Sequence, residues 1–194
     1  GSFWFRNNIK SSSVNLTAYL FSFAKPVKLE GKGDHYGISG TYKGAKPGNL
    51  FVFPGSKEVP SVRGTTDVPE LTWNHLVLVR DGNRVRVQFN GTEPLEIDQE
   101  IPSSFDDLRE FTLGSRSDKM FALQGNMTEF AFFDRALSRE EAMLLHSASG
   151  QPKTSGPKLE GPVTPSPSNL AMGVREATNP DDCKVNINGE SQKL

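Results

Sequence analysis

The sequence has little of several things, and each shortage excludes a class of structure or function. Its single cysteine, Cys183, rules out a disulfide within the chain. No apolar run reaches the length of a membrane-spanning helix, so no membrane insertion is expected. No basic leader followed by an apolar stretch and a small-residue cleavage site is present. Charge of one sign is also lacking. Lys+Arg 22 against Asp+Glu 23 leaves a net charge of -1, without a basic stripe. That gives no electrostatic reason to expect nucleic acid or an anionic membrane as a partner. There is no C-x-x-C-H haem site and no Gly-rich phosphate loop after a strand. With 2 Trp and 3 Tyr, the chain is also poor in the rings that line a sugar-stacking cleft.

What is present points to β structure. Gly (18) and Pro (13) are plentiful and punctuate short apolar runs. Phe3 and Phe5 alternate with Trp4 and Arg6. The runs Ala18–Ala24, His35–Tyr42 and Asn49–Phe53 have strand length. The clearest unit is Thr72–Asp98. Trp73, His75, Val77 and Val79 fall on one face, with Leu76 and Leu78 on the other. Asp81-Gly82-Asn83 turns the chain, and Val85, Val87 and Phe89 alternate with Arg84, Arg86 and Gln88. Asn90-Gly91, which tolerates positive φ, turns it again. Leu95 and Ile97 continue into a third strand, giving an antiparallel meander with one face for a core. Glu110–Gly114 and Thr128–Asp134 read as further strands. The period then changes: Ser138 and Glu141 form a capping box ahead of Ala142, Leu144 and Leu145, and Gly150 is placed to end the helix in a left-handed turn. The fold expected is all-β, a two-sheet antiparallel sandwich over residues 1–150 with one short C-terminal helix. Residues 151–168 are Pro-, Ser- and Gly-rich and read as a flexible linker. Residues 169–194 are too few to fold alone and read as the start of a following domain.

Specific strings resemble a known family. Trp73–Gly82 resembles the tryptophan–histidine strand and turn of laminin-G-like jelly rolls, and Val87-Gln88-Phe89-Asn90-Gly91 their asparagine–glycine hairpin. Leu113-Gly114, followed by Gly125–Glu141 with its Arg135-Ala136-Leu137-Ser138, is similar to the ending of the same domains. The resemblance covers residues 2–149 in pieces and implies a jelly-roll sandwich of the laminin-G/concanavalin-A type. That family carries one or two strands ahead of the equivalent of Ser2-Phe3-Trp4, so both ends of the sequence read as cut and an unpaired sheet edge is expected. The tail adds a second resemblance. Ala171–Glu176 and Asp181–Glu190 are similar to a segment of large planctomycete proteins, except that Asn188 stands where the pattern has Arg. It implies an exported, periplasmic or cell-surface, multidomain bacterial parent, in which any haem would lie outside these residues.

Few constellations suggest chemistry. In Glu96-Ile97-Asp98-Gln99-Glu100, alternation would place Glu96, Asp98 and Glu100 on one strand face. Retaining glucanases of this fold use such a carboxylate row, with about 5–5.5 Å between nucleophile and acid/base. Against this, Gln99 sits where an inward apolar residue is expected, and the string follows the hairpin at an exposed strand end. A solvated edge is the favoured reading. For calcium, Leu113–Asp118 resembles a pentraxin calcium loop, but Arg116 and Ser117 replace its ligands and leave Asp118; Asp34 and Asn126 are the other loop oxygens. Surface turns account for all three. His35, His75 and His146 share no short spacing and fit structural roles rather than a zinc site. Cys183 reads as a packing cysteine, and the sequons at Asn15, Asn90 and Asn126 carry little meaning in a bacterial source. The expected function is a non-catalytic module recognising polysaccharide or a protein surface. A structural spacer is the alternative, and a glycoside hydrolase using Glu96 and Glu100 is a further one.

Overall fold

The computed structural model describes residues 1–13, 18–25, 32–42, 45–55, 58–102 and 110–151, together with the strand backbones of 184–187 and 190–193. Residues 152–168 of the linker expected over 151–168, the segment 169–183 with Cys183, Asn188 and the Asn15 sequon lie outside the described residues. Among the described residues no helix is long and apolar enough to cross a membrane.

The alternating runs pair as the two-sheet antiparallel sandwich expected from the sequence. In chain order the strands are β1 (Ser2–Asn7), β2 (Ala18–Ala24), β3 (Gly33–Ile38), β4 (Asn49–Phe53), β5 (Val62–Asp67), β6 (Asn74–Asp81), β7 (Arg84–Phe89), β8 (Ile97–Glu100), β9 (Glu110–Leu113) and β10 (Gly125–Ala131). A helix, α1 (Arg139–Ala148), and the short strands β11 (Lys184–Ile187) and β12 (Glu190–Lys193) follow. One sheet runs β10-β1-β6-β7-β8; the other runs β9-β2-β3-β4-β5 and is extended past β9 by β11 and β12. The β6–β7–β8 meander is the one expected from Thr72–Asp98, with Asn90 (φ 50) and Gly91 (φ 63) both in the left-handed region. β1 lies inside its sheet, flanked by β6 and β10.

Period-two burial builds the interior. Phe3, Phe5, Leu76, Leu78, Val85, Val87 and Phe89 from one sheet meet Leu20, Tyr36, Ile38, Leu50 and Val52 from the other. A register shift between Tyr19 and Phe21 lets both Leu20 and Phe21 reach this core. β6 is buried on both faces. Its opposite residues, Val77 and Val79, pack with Leu137 and Ala142 under α1. Ser138 caps the helix and Glu141 reaches back to it, the reciprocal pair read from the sequence.

Several boundaries differ from the sequence reading. Trp73 precedes β6 instead of belonging to it. β3 ends at Ile38, short of Tyr42. β10 begins at Gly125 and ends at Ala131, three residues earlier at each end than the Thr128–Asp134 run. There Glu129 adopts φ 51 where the β1–β10 register shifts, so a bulge displaces the apolar pattern. The helix stops on Ser149 in extended conformation, not on a left-handed Gly150. β5 has no counterpart in the sequence reading: it is an exposed edge strand with Val62 as its single large apolar residue, so it carries almost no alternation. Near the end of the sequence β11 pairs in parallel with β9, with Ile187 opposite Leu113.

Candidate functional site

The same alternation that buries Leu76 and Leu78 brings Arg80 to the inner face of β6. Likewise, the Tyr36–Ile38 pattern of β3 brings Asp34 inward from the facing sheet. The two meet across the gap, with Arg80 Nε 3.6 Å from Asp34 Oδ2, their side chains 16% and 2% exposed. The Tyr36 hydroxyl donates to the same oxygen at 3.2 Å. Asp34 Oδ1 is buried and accepts no hydrogen bond. Burial pushes the Asp34 carboxyl up to about 6, although Arg80 and the Tyr36 hydrogen bond pull the other way. Burial likewise raises the Tyr36 hydroxyl well above its ordinary value, with Asp34 adding to the shift.

This polar group lines the floor of a cavity of about 350 Å³ that reaches from between the sheets to Val79, Ala136 and Leu137 on the outer side of β6. Phe21 and Phe23 line it from one sheet and Phe132 from the chain leaving β10. Phe132 is 41% exposed and sits 5.7 Å from the Phe23 ring, stacking on Phe111 at 5.3 Å. Asp81 and Asp134, both exposed, also line the cavity. A concave, aromatic-sided pocket with convergent buried polar groups and a shifted carboxyl is the usual form of a small-ligand site.

A family model for concanavalin A-like lectins and glucanases matches residues 2–143. The chain belongs to the concanavalin A-like lectin/glucanases superfamily. No curated protein matches this lectin/glucanase-type chain in sequence. Two of the solved structures similar to it in fold illustrate the likeness. One, from Bacteroides ovatus, is described as a candidate carbohydrate-binding protein, with 15% identity, a TM-score of 0.54, and coverage of 75% of this chain and 39% of that one. The other is domain 4 of AbnA, a GH43 extracellular arabinanase from Geobacillus stearothermophilus, in complex with arabinotriose, with 20% identity, a TM-score of 0.55, and coverage of 75% and 64%. The chain thus spans less than two thirds of either relative's length.

The lectin/glucanase sandwich scatters the residues picked out from the sequence. Glu96 leaves the strand row: its Oε1 accepts from the backbone amides of Thr65 (2.6 Å) and Thr66 (2.8 Å), joining the β8 side of one sheet to β5 of the other. Asp98 is forked by Arg84 at 2.7 and 3.0 Å, and that hydrogen bonding holds its carboxyl below the usual range. Glu100 is exposed opposite Arg84. The expected single face of three carboxylates is therefore not formed, because Glu96 turns to the neighbouring sheet.

The calcium candidates separate too. Asp34 lies in β3 rather than a loop, at the Ala24 end of β2. The loop bearing Asp118 joins the Tyr19–Leu20 end, and Asn126 pairs with Arg6 at the far end of β1. Arg116 forks Asp118, whose amide partner is Met120; burial alone would raise this carboxyl, but these partners lower it. Asn126 Oδ1 accepts from Asn8 at 3.1 Å. Among the described residues no three His, Cys, Asp or Glu side chains group to hold a metal ion, and Asp34, Asp118 and Asn126 lie apart from one another.

Two histidines that share no spacing in sequence do meet. His75 and His146 lie 5.5 Å apart, each ringed by Trp4 at 5.0 and 5.3 Å, with Ser2 Oγ 2.9 Å from His75 Nε2. Arg80 and Phe132 fall within the strings that resemble the family, yet neither they nor Tyr36 stand out there as site residues. The available signal was positional: a charged residue, Arg80, continuing the inward row of Leu76 and Leu78.

Proposed function

We propose that the domain is a non-catalytic saccharide-recognition module whose site is the pocket between the sheets at Asp34. The observation that carries this reading is a carboxylate, 2% exposed, with one oxygen lacking a hydrogen-bond partner on the floor of an aromatic-sided cavity. Such an acceptor is costly to bury and gains most from a hydroxyl donor. The exposed face of Phe132 supplies an apolar platform for a sugar ring. The fold likeness to domain 4 of AbnA, itself in complex with arabinotriose, is in keeping with this ligand class. A non-catalytic role fits the engagement of Glu96 by backbone amides and of Asp98 by Arg84. An exported bacterial parent is supported by the extracellular setting of that arabinanase and by the similarity of the Ala171–Glu190 segment to planctomycete multidomain proteins.

The test is a glycan array followed by pull-down on insoluble polysaccharides, using the full chain and the variants Asp34→Ala and Phe132→Ala. Binding that falls at least about tenfold in both variants supports the site, since a lost charged hydrogen bond or aromatic contact is worth about 1.5–3 kcal/mol. Blank array and pull-down results remove the saccharide reading. Binding that both variants retain moves it elsewhere on the sandwich.

A further inference from the structure

Resting on the saccharide reading, we infer that the pocket takes the end of a saccharide chain, about one or two terminal units, and not a stretch of its middle. Size is the first reason. The cavity of about 350 Å³ stands near the bottom of the roughly 300–1,000 Å³ range of small-ligand pockets, too small for a polymer to run through. Enclosure is the second. The walls come from three parts of the chain: Phe21 and Phe23 of β2, residues 78–82 at the end of β6, and residues 132–137 that follow β10. The branch towards the outer side of β6 ends on Val79 and Leu137, which are buried and pack with Ala142 of α1. The floor residues Asp34 and Tyr36 are 2% and 4% exposed, so a group that reaches them is inserted and not laid across a surface.

Hydroxyl chemistry points the same way. A terminal unit keeps free a hydroxyl that an internal unit gives up to its linkage, and carries it at the tip of the chain. A donor at the tip matches acceptors on a floor. Asp34 Oδ1 has no hydrogen-bond partner, and a hydrogen bond to an ionised acceptor is stronger than a neutral one. The Tyr36 hydroxyl spends its hydrogen on Asp34 Oδ2, which leaves its oxygen as a second acceptor. Phe132 is the exposed aromatic ring of the lining, braced from behind by Phe111 at 5.3 Å. It offers an apolar face to the unit that follows the inserted one.

The experiment is calorimetric titration of the full chain with linear arabino-, xylo- and manno-oligosaccharides of two to six units. Alongside it, soluble arabinan, xylan and mannan compete for the site before and after partial endo-cleavage. The expected result, for a sugar that binds, is an affinity per chain that changes no more than about threefold from the disaccharide to the hexasaccharide. The cleaved polymer should compete more strongly per unit mass, in step with its number of chain ends. An affinity that climbs about tenfold or more over the series, or a cleaved polymer that competes no better than the intact one, overturns end recognition and leaves the saccharide reading in place. Failure of every probe to bind removes the saccharide reading itself, and end recognition with it.

Discussion

Two clusters of buried titratable groups stand on opposite sides of β6, and the difference between them separates packing from a site. On the outer face, His75 (1% exposed) and His146 (3% exposed) stack with Trp4 beneath α1. On the inner face, Arg80 meets Asp34 and Tyr36 at the floor of a cavity. Burial shifts titration in both. It lowers the His75 imidazole to about 3, with His146 adding to the effect, and raises the Asp34 carboxyl to about 6. A shifted group alone therefore does not mark a binding site. Both clusters bury a polar atom without a partner, His75 Nδ1 in one and Asp34 Oδ1 in the other, but the histidine cluster is covered by the helix whereas the aspartate lies next to open space. One arrangement stabilises the fold at neutral pH, and the other retains capacity for a ligand.

The comparison can be broken by substitution, beginning with the largest effect. Trp4, 1% exposed between the two imidazoles, should cost about 3–5 kcal/mol when changed to alanine. Denaturant unfolding measures this, and ligand affinity of the protein that remains folded should not change.

The two clusters should next reveal themselves by opposite pH slopes. His75 stays neutral in the folded chain down to about 3, while the unfolded value is 6.5. Below 6.5 the unfolded chain takes up a proton that the folded one refuses, so stability falls as pH drops from 6.5 towards 3. Asp34 behaves in reverse. Its folded value of about 6 lies above the unfolded 3.8, so stability is lost as pH rises from 3.8 through 6. Each slope is at most about 1.4 kcal/mol per pH unit, and they oppose each other between these limits. His75→Gln should therefore make stability fall more, relative to wild type, as pH rises through that window. Asp34→Asn should make it rise more. Denaturant titrations at several pH values check both signs, and parallel curves for all three proteins would contradict the assignment.

Glu96 bears on the glucanase reading. Because its carboxylate holds the Thr65 and Thr66 amides, Glu96→Ala should cost about 1–3 kcal/mol and leave saccharide binding intact. The smallest effect on stability is expected at Phe132. At 41% exposure, its replacement by alanine should cost less than about 1 kcal/mol, yet lower ligand affinity at least about tenfold. Melting and titration on one sample compare the two losses.

The legible part of the fold was its alternation. Leu76–Leu78 and Val85–Val87–Phe89 pointed to the core because one face of each strand is apolar, and Ser138/Glu141 announced the helix because the cap is written in residue types at fixed spacing. β5 was not legible because an exposed edge strand has little to bury. β10 slipped by three residues because the bulge at Glu129 shifts the period, which composition does not encode. The site was half-legible. Asp34 was singled out, but for calcium in a loop; its partners come from Arg80, a distant strand, and Phe132, beyond the bulge. Glu96, Asp98 and Glu100 looked like a row because alternation alone cannot show that one member turns to a neighbouring sheet.

The most direct measurement is a chemical-shift map of the full chain titrated with arabinotriose, xylotriose and mannotriose in turn. Saturable shifts from at least one probe, centred on Phe23, Asp34, Tyr36, Arg80 and Phe132 while Trp4, His75 and His146 stay still, are the predicted result. Shifts centred on any other face of the sandwich, or none from any of the three sugars, would contradict the assignment of the inter-sheet pocket as the binding site.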